Sequence, residues 1–207
     1  MKKLILIDDH KMLRKGISSF FTENSEWQIF AEAESLSQVE NILPACSKSN
    51  DLLVAIVDIQ LKESEGDSFS GFKAINKLNQ AGIPSVVFSS HDTGACIERA
   101  MSADVGAKGF VSKLSDEKML LDAVNTVAEG KTFVQPDLIT SFMETHNLFS
   151  MLTKREKQVV KLIQEGLTNE EIAEELEIKI TTLENYISVI YDKIGCQDKK
   201  SLIEKLG

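Results

Sequence analysis

The sequence predicts an α/β protein, a parallel sheet covered by helices, followed by a small all-α domain. Five short apolar runs, KKLILID, WQIFAEA, LLVAIVD, PSVVFSS and AKGFVS, recur over the first 130 residues. Between them lie stretches with apolar residues at helical spacing, the alternation expected of a sheet packed on both faces. From Leu152 onward the strand signal disappears and only helical spacing remains. At 207 residues the chain has room for two compact cores and a linker.

The elements follow in order. The first run ends on the acidic pair Asp8 and Asp9, and Leu13, Ile17, Phe20 and Phe21 then mark one face of a helix. WQIFAEA supplies a second strand. LLVAIV is six consecutive apolar residues, the pattern of a parallel strand buried on both faces. PSVVFSS and AKGFVS give the fourth and fifth strands, and Leu120, Ala123, Val124 and Val127 the helix that closes the unit. We place this first domain at residues 1–130. Residues 131–150 read as a linker in which Pro136 suits a helix start, with one short helix over about Asp137–His146. Residues 151–207 read as four short helices. Three Thr-x-x-Glu patterns there, Thr153 with Glu156, Thr168 with Glu171 and Thr181 with Glu184, have capping-box spacing.

Net charge is −9, which argues against a protein that coats nucleic acid indiscriminately. The part up to Ser150 holds 14 basic and 21 acidic residues (−7), the remainder 9 and 11 (−2), so neither half is a basic patch. Cys46, Cys96 and Cys196 are odd in number and widely spaced, which fits buried small hydrophobes rather than a disulfide framework or a zinc site. The apolar runs fall well short of the roughly 18 residues of a membrane span. The start, MKKLILIDDHK, turns acidic too soon for a signal peptide. A cytoplasmic protein with no membrane partner is expected.

In an open α/β sheet the ligand crevice lies beyond the carboxyl ends of the strands. Asp8 and Asp9 follow the first strand, Asp58 the third and Lys113 the fifth, and Ser89 ends the fourth, so residues far apart in sequence converge. Three carboxylates at one rim repel one another unless a cation joins them. Hard oxygen donors with room for water suit Mg²⁺. Lys113 as a point charge and Ser89 as a hydroxyl donor would complete an anion site, so the set describes a phosphoryl group carried by one carboxylate. Each residue alone has a plainer reading: Asp8 and Asp9 as helix caps, Ser89 as a strand end, Phe110 as core. Their conjunction is what points to a site. A phosphohydrolase with Asp58 as nucleophile also fits the carboxylates, but such an enzyme wants a second acid two residues on, where Gln60 stands.

The acidic pair in LILIDDH, the aspartate in VAIVDIQ, the hydroxyl in VVFSSHD and the aromatic and lysine in GAKGFVSK together resemble a response-regulator receiver domain, and the whole chain resembles the NarL/FixJ family. The resemblance implies a flavodoxin-like (βα)5 fold and phosphorylation of Asp58 by a cognate histidine kinase. It also implies Mg²⁺ held by Asp9, Asp58 and the backbone carbonyl of Gln60, with Asp8 assisting. Lys113 would pair with the phosphoryl oxygens, Ser89 would move toward them, and Phe110 would change rotamer with it. Such a protein is not an enzyme beyond shedding its own phosphate. QLKESEGDSFSGF, after the acceptor, is longer than the family's loop and lacks its proline, so it is expected either to border the site and alter kinase docking or phosphoryl lifetime, or to be a solvated insertion. His91, two residues past Ser89, is placed near the path of an attacking water.

LTKRE, EGLTNEEIAEEL, TTLENYI and DKIG resemble the LuxR-type helix-turn-helix module. On its third helix Leu183, Ile187, Ile190, Tyr191 and Ile194 follow core spacing. The opposite face, with Thr181, Asn185, Ser188 and Asp192, is expected in the major groove, where Asn185 suits adenine and Ser188 a base or phosphate. The expected DNA contacts are Lys179, Thr182, Glu184, Asn185, Ser188 and Lys193, with Lys154, Arg155, Lys199 and Lys200 as further phosphate partners. Glu184 replaces the family's usual lysine, and we expect it to fold back on Thr181 as a cap, which would start the helix late. The resemblance implies a transcription regulator that forms a homodimer on double-stranded promoter DNA when phosphorylated. The alternative, motivated by Glu184 and the module's negative charge, is a phosphorylation-gated protein-interaction switch with weak or lost DNA binding.

Overall fold

The computed structural model describes residues 1–61 and 70–206. Of the long stretch QLKESEGDSFSGF noted after Asp58, residues 62–69 lie outside the described residues. Two compact units divide the chain, Met1–Asp92 with Arg99–Ile139, and Thr93–Glu98 with Thr140–Gly207.

The first unit is built on a parallel sheet of order β2-β1-β3-β4-β5-β6. The strands are β1 (Lys2–Ile7), β2 (Trp27–Ala33), β3 (Leu52–Val57), β4 (Ser85–Ser89), β5 (Gly109–Ser112) and β6 (Phe133–Val134). The helices following β1 to β5 in turn are α1 (Lys11–Asn24), α2 (Leu36–Cys46), α3 (Ser70–Gln80), α4 (Gly94–Met101) and α5 (Glu117–Ala128). Five strands were expected; the sixth lies in the stretch read as linker. There the Phe133 N–H donates to the Lys108 carbonyl at 2.9 Å and the Gln135 N–H to that of Phe110 at 3.0 Å, so β5 gains a partner instead of an open edge. Pro136–Leu138 forms a short 3-10 turn, and α6 runs over Ile139–Ser150.

Leu4, Leu6, Val54, Ile56, Val86, Phe88 and Val111 pack with Ile17 and Phe21 of α1 and Leu120, Val124 and Val127 of α5. Alternate residues of the same strands, Ile5, Ile7, Ala55, Val57, Val87 and Phe110, are equally buried and point to the other side. Burial on both faces is why these strands are continuously apolar. Each such side chain contributes about 1.5–3 kcal/mol, which holds the carboxyl ends of β1, β3, β4 and β5 in fixed relation.

The second unit contains α7 (Lys154–Gln164), α8 (Asn169–Glu175), α9 (Ile180–Ile194) and α10 (Lys199–Leu206) around Val159, Val160, Ile163, Ile172, Leu183, Ile190 and Leu202. Capping boxes form at Thr153 with Glu156 and at Thr168 with Glu171. The third does not. The N–H groups of Thr182 and Leu183 both donate to the Lys179 carbonyl, so α9 begins at Ile180 with Thr181 already inside it and Lys179 as an N-cap without a side-chain bond. Glu184 is therefore an exposed residue of the helix rather than its cap.

The turn between α8 and α9 explains the early start. Glu177 N–H donates to Glu174 O and Ile178 N–H to Ala173 O, which is the Schellman arrangement, and Glu177 takes φ 52°. A Cβ in that left-handed conformation costs about 1 kcal/mol. Glu177→Gly is expected to stabilise the second unit by about 0.5–1 kcal/mol, read by chemical denaturation. A loss of stability would mean that the Glu177 side chain makes a contact worth more than the strain.

Candidate functional site

Asp8, Asp58 and Lys113 are each the residue just past a strand, and their N–H groups carry the ladder one step further: Asp8 to Ala33 O at 3.1 Å, Asp58 to Ile7 O at 2.8 Å and Lys113 to Ser89 O at 2.8 Å. Their backbones are thereby fixed while their side chains leave the sheet at one rim. Asp8 and Asp58 are 5 % and 4 % exposed. Lys113 Nζ lies 2.7 Å from Asp8 Oδ2 and 2.6 Å from Asp58 Oδ2, bridging the two. Gln60 N–H donates to the other Asp58 oxygen at 3.2 Å. Burial pushes the Asp58 carboxyl above its ordinary value against the pull of Lys113 and the Gln60 N–H, with the Asp8 charge adding to the rise. Burial opposes the Lys113 charge, but its bonds to Asp58 and Asp8 prevail and hold its pKa above the usual lysine value.

Asp9 completes the acidic rim. His10 Nδ1 lies 2.7 Å from Asp9 Oδ1 and 3.2 Å from Asp8 Oδ1, and His10 N–H donates to the same Asp8 oxygen at 2.7 Å. One donor atom from each of Asp8, Asp9, His10 and Asp58 falls within 4.8 Å of all the others, a spacing that one cation can bridge. The oxygen-rich set fits Mg²⁺.

Ser89, fully buried at the end of β4, accepts the His91 N–H at 3.1 Å. Phe110, also fully buried, lies on the neighbouring strand β5, in register with Val87 of β4, while Ser89 itself faces Ser112. Gln60 Nε2 and His91 Nε2 lie 3.3 Å apart, linking the segments after β3 and β4. Gly71 brings α3 against the segment after β3: its N–H donates to Ile59 O, and a Cβ built on it would lie 2.2 Å from Asp58 O and 2.4 Å from Ile59 Cα. Both obstacles are backbone, so Gly71→Ala should lower stability by about 1–3 kcal/mol, measured by chemical denaturation. A variant of unchanged stability would show that α3 can withdraw from the loop.

In the second unit Lys179, Thr182, Glu184, Asn185 and Ser188 are exposed on or beside α9. Lys193 departs from this face. Its ammonium lies 2.9 and 2.7 Å from the two oxygens of Glu156, the capping-box carboxylate of α7, so its charge is engaged within the fold.

Two family models match the chain. One, the response regulator receiver domain, covers residues 4–125, and the other, bacterial regulatory proteins of the luxR family, covers residues 150–206. The chain belongs to the NarL/FixJ family of response regulators. It is 30 % identical over 206 residues to the transcriptional regulatory protein UhpA of Salmonella typhimurium, covering 100 % of this chain and 98 % of that one. To the response regulator VraR of Staphylococcus aureus it is 26 % identical over 97 % and 94 % of the two chains. Its fold matches RcsB in a complex with DNA (TM-score 0.64, 23 % identity, 99 % and 97 % covered). It also matches RcsB of Salmonella enterica serovar Typhimurium bound to promoter rprA with BeF3⁻ (TM-score 0.65, 22 % identity, 100 % and 98 % covered).

The response regulator thus joins a receiver to a LuxR-type domain. Among the described residues no helix is long and apolar enough to cross a membrane. One structural residue escaped the sequence reading. Arg14 of α1 is buried and donates to the Asp8 carbonyl, with Nε 3.2 Å from Glu32 and Nη2 3.5 Å from Glu34. It ties the acidic turn to the end of β2. The available signal was an arginine one turn after His10 beside the apolar positions 13 and 17.

Proposed function

We propose that this response regulator accepts a phosphoryl group on Asp58 from a histidine kinase and, as a homodimer, binds promoter DNA through α9 to control transcription. The observation that supports it most is the triangle of buried Asp8, buried Asp58 and half-buried Lys113 at the carboxyl rim of the sheet, with Lys113 Nζ within 2.7 Å of both acids. A half-buried lysine between two buried carboxylates is poised to meet additional negative charge.

In the transfer, an Asp58 oxygen forms a bond to phosphorus as the phosphohistidine N–P bond breaks. The electron pair leaves with the imidazole, which takes up a proton. The Gln60 N–H holds one Asp58 oxygen and so orients the other. Asp9, Asp58 and the Gln60 carbonyl would hold Mg²⁺, with Asp8 assisting, and the ion would supply neutralisation of the charge that gathers on the phosphoryl oxygens. Lys113 supplies a second positive partner. Ser89 Oγ now accepts the His91 N–H and keeps its own hydroxyl proton to donate to a phosphoryl oxygen. Its displacement would open the space that the fully buried Phe110 needs in order to turn.

On the output side, Lys179, Thr182, Asn185 and Ser188 are the exposed groups offered to DNA, and Glu184 stands among them. Asn185 matches the adenine edge. The test is a gel shift on promoter fragments, with and without a small-molecule phosphodonor, at two salt concentrations, with mass spectrometry locating the added phosphate. Retention that rises with the phosphodonor and falls steeply with salt is expected. DNA left unretained at low salt under both conditions would favour the protein-interaction reading, which the exposed carboxylate of Glu184 supports.

A further inference from the structure

We propose that His10 is a metal ligand of the acidic pocket, extending it from Mg²⁺ to divalent transition ions that accept imidazole nitrogen, such as Ni²⁺ and Zn²⁺. The inference rests on the Mg²⁺ site of the proposed function and goes beyond it. His10 follows the acidic pair directly and occupies the N-cap position of α1, yet its side chain caps nothing. The ring is held by carboxylates instead: Nδ1 lies 2.7 Å from Asp9 Oδ1 and 3.2 Å from Asp8 Oδ1. Its nitrogen and one oxygen from each of Asp8, Asp9 and Asp58 lie within 4.8 Å of one another, so an ion among the oxygens is also within reach of the imidazole.

The side chain is 62 % exposed, so the ring has room for the small shift by which Nδ1 exchanges its contacts with the carboxylates for an ion. Mg²⁺ gains little from such a donor because it prefers oxygen and retains water. Ni²⁺ and Zn²⁺ gain a great deal, since imidazole suits them and affinities at mixed nitrogen and oxygen sites rise along the series from Mn²⁺. An ion held in this way takes the oxygens that Mg²⁺ uses, so the same residue would make these cations competitors of Mg²⁺ at the phosphoacceptor.

The full-length protein is loaded with Mn²⁺ as a paramagnetic probe, and the Mg²⁺-displaceable fraction is examined by pulsed EPR. A coupling from directly bound ¹⁴N is expected in the natural protein and its absence in His10→Ala. In calorimetric titrations His10→Ala should lose at least about tenfold in Ni²⁺ affinity while its Mg²⁺ affinity is unchanged. No nitrogen coupling, or an unaltered Ni²⁺-to-Mg²⁺ ratio in His10→Ala, overturns the role of His10. Failure of the underlying metal site has a different signature, in which Asp9→Asn and Asp58→Asn leave Mn²⁺ binding intact.

Discussion

Asp58→Asn should give a folded protein that takes up no acid-labile phosphate and resists denaturation better than the natural protein at pH 7. The amide keeps the shape of the carboxyl and can still accept the Gln60 N–H, but it has no anionic oxygen to attack phosphorus. Stability follows from burial, which raises the folded Asp58 pKa above its ordinary value. Such a carboxyl favours folding below the unfolded-chain pKa of about 3.9, and that contribution is lost as pH rises through the folded value. At pH 7 the charge works against the fold and close to Asp8, and Lys113 keeps Asp8 as its partner when Asp58 becomes an amide, so the neutral side chain should raise stability. The gain should shrink as pH falls toward the unfolded value. Urea titrations in chelator at pH 7 and at a mildly acid pH measure it, alongside labelling by a phosphodonor. Label persisting in the variant would move the acceptor to another residue.

The fold was legible because parallel strands buried on both faces leave little choice of residue, and LLVAIV and PSVVFSS announce themselves. The same logic placed Asp8, Asp58, Ser89 and Lys113 at one rim, since strand ends in such a sheet converge. What escaped lacks a periodic signal. β6 is two residues long and exists because β5 would otherwise expose its edge, a tertiary reason that Phe133 and Val134 do not display. The Thr181 and Glu184 pattern matched a capping box, but the left-handed turn at Glu177 brings the chain into helix before Thr181. Lys193 looked like a phosphate contact from its place on α9. Its pairing with Glu156 joins positions 37 residues apart, which no local pattern reveals. Arg14 was hidden for a related reason, since its partners lie at the ends of β1 and β2 rather than along its own helix.

Lys113→Met should produce the largest loss of stability of any single change at the rim, and one that Mg²⁺ reverses. In the metal-free protein Lys113 is the cation that joins Asp8 and Asp58, both nearly inaccessible to water. Methionine fills a similar volume but leaves two buried carboxylates facing each other, a defect of about 3–5 kcal/mol at pH 7. The folded pKa of Asp58, already raised by burial, would rise further, so the defect should grow as pH rises through that value and shrink at acid pH. The ammonium and the divalent ion draw on the same carboxylates, so removing one relieves competition for the other. Mg²⁺ should therefore bind the variant more tightly than the natural protein and restore more stability to it, by linkage between ligand binding and folding. Denaturation in chelator and in saturating Mg²⁺, for both proteins, measures the difference. Equal stabilisation of the two would show that Lys113 and the ion occupy separate parts of the pocket, and that the bridge seen between Asp8 and Asp58 persists when the metal is bound.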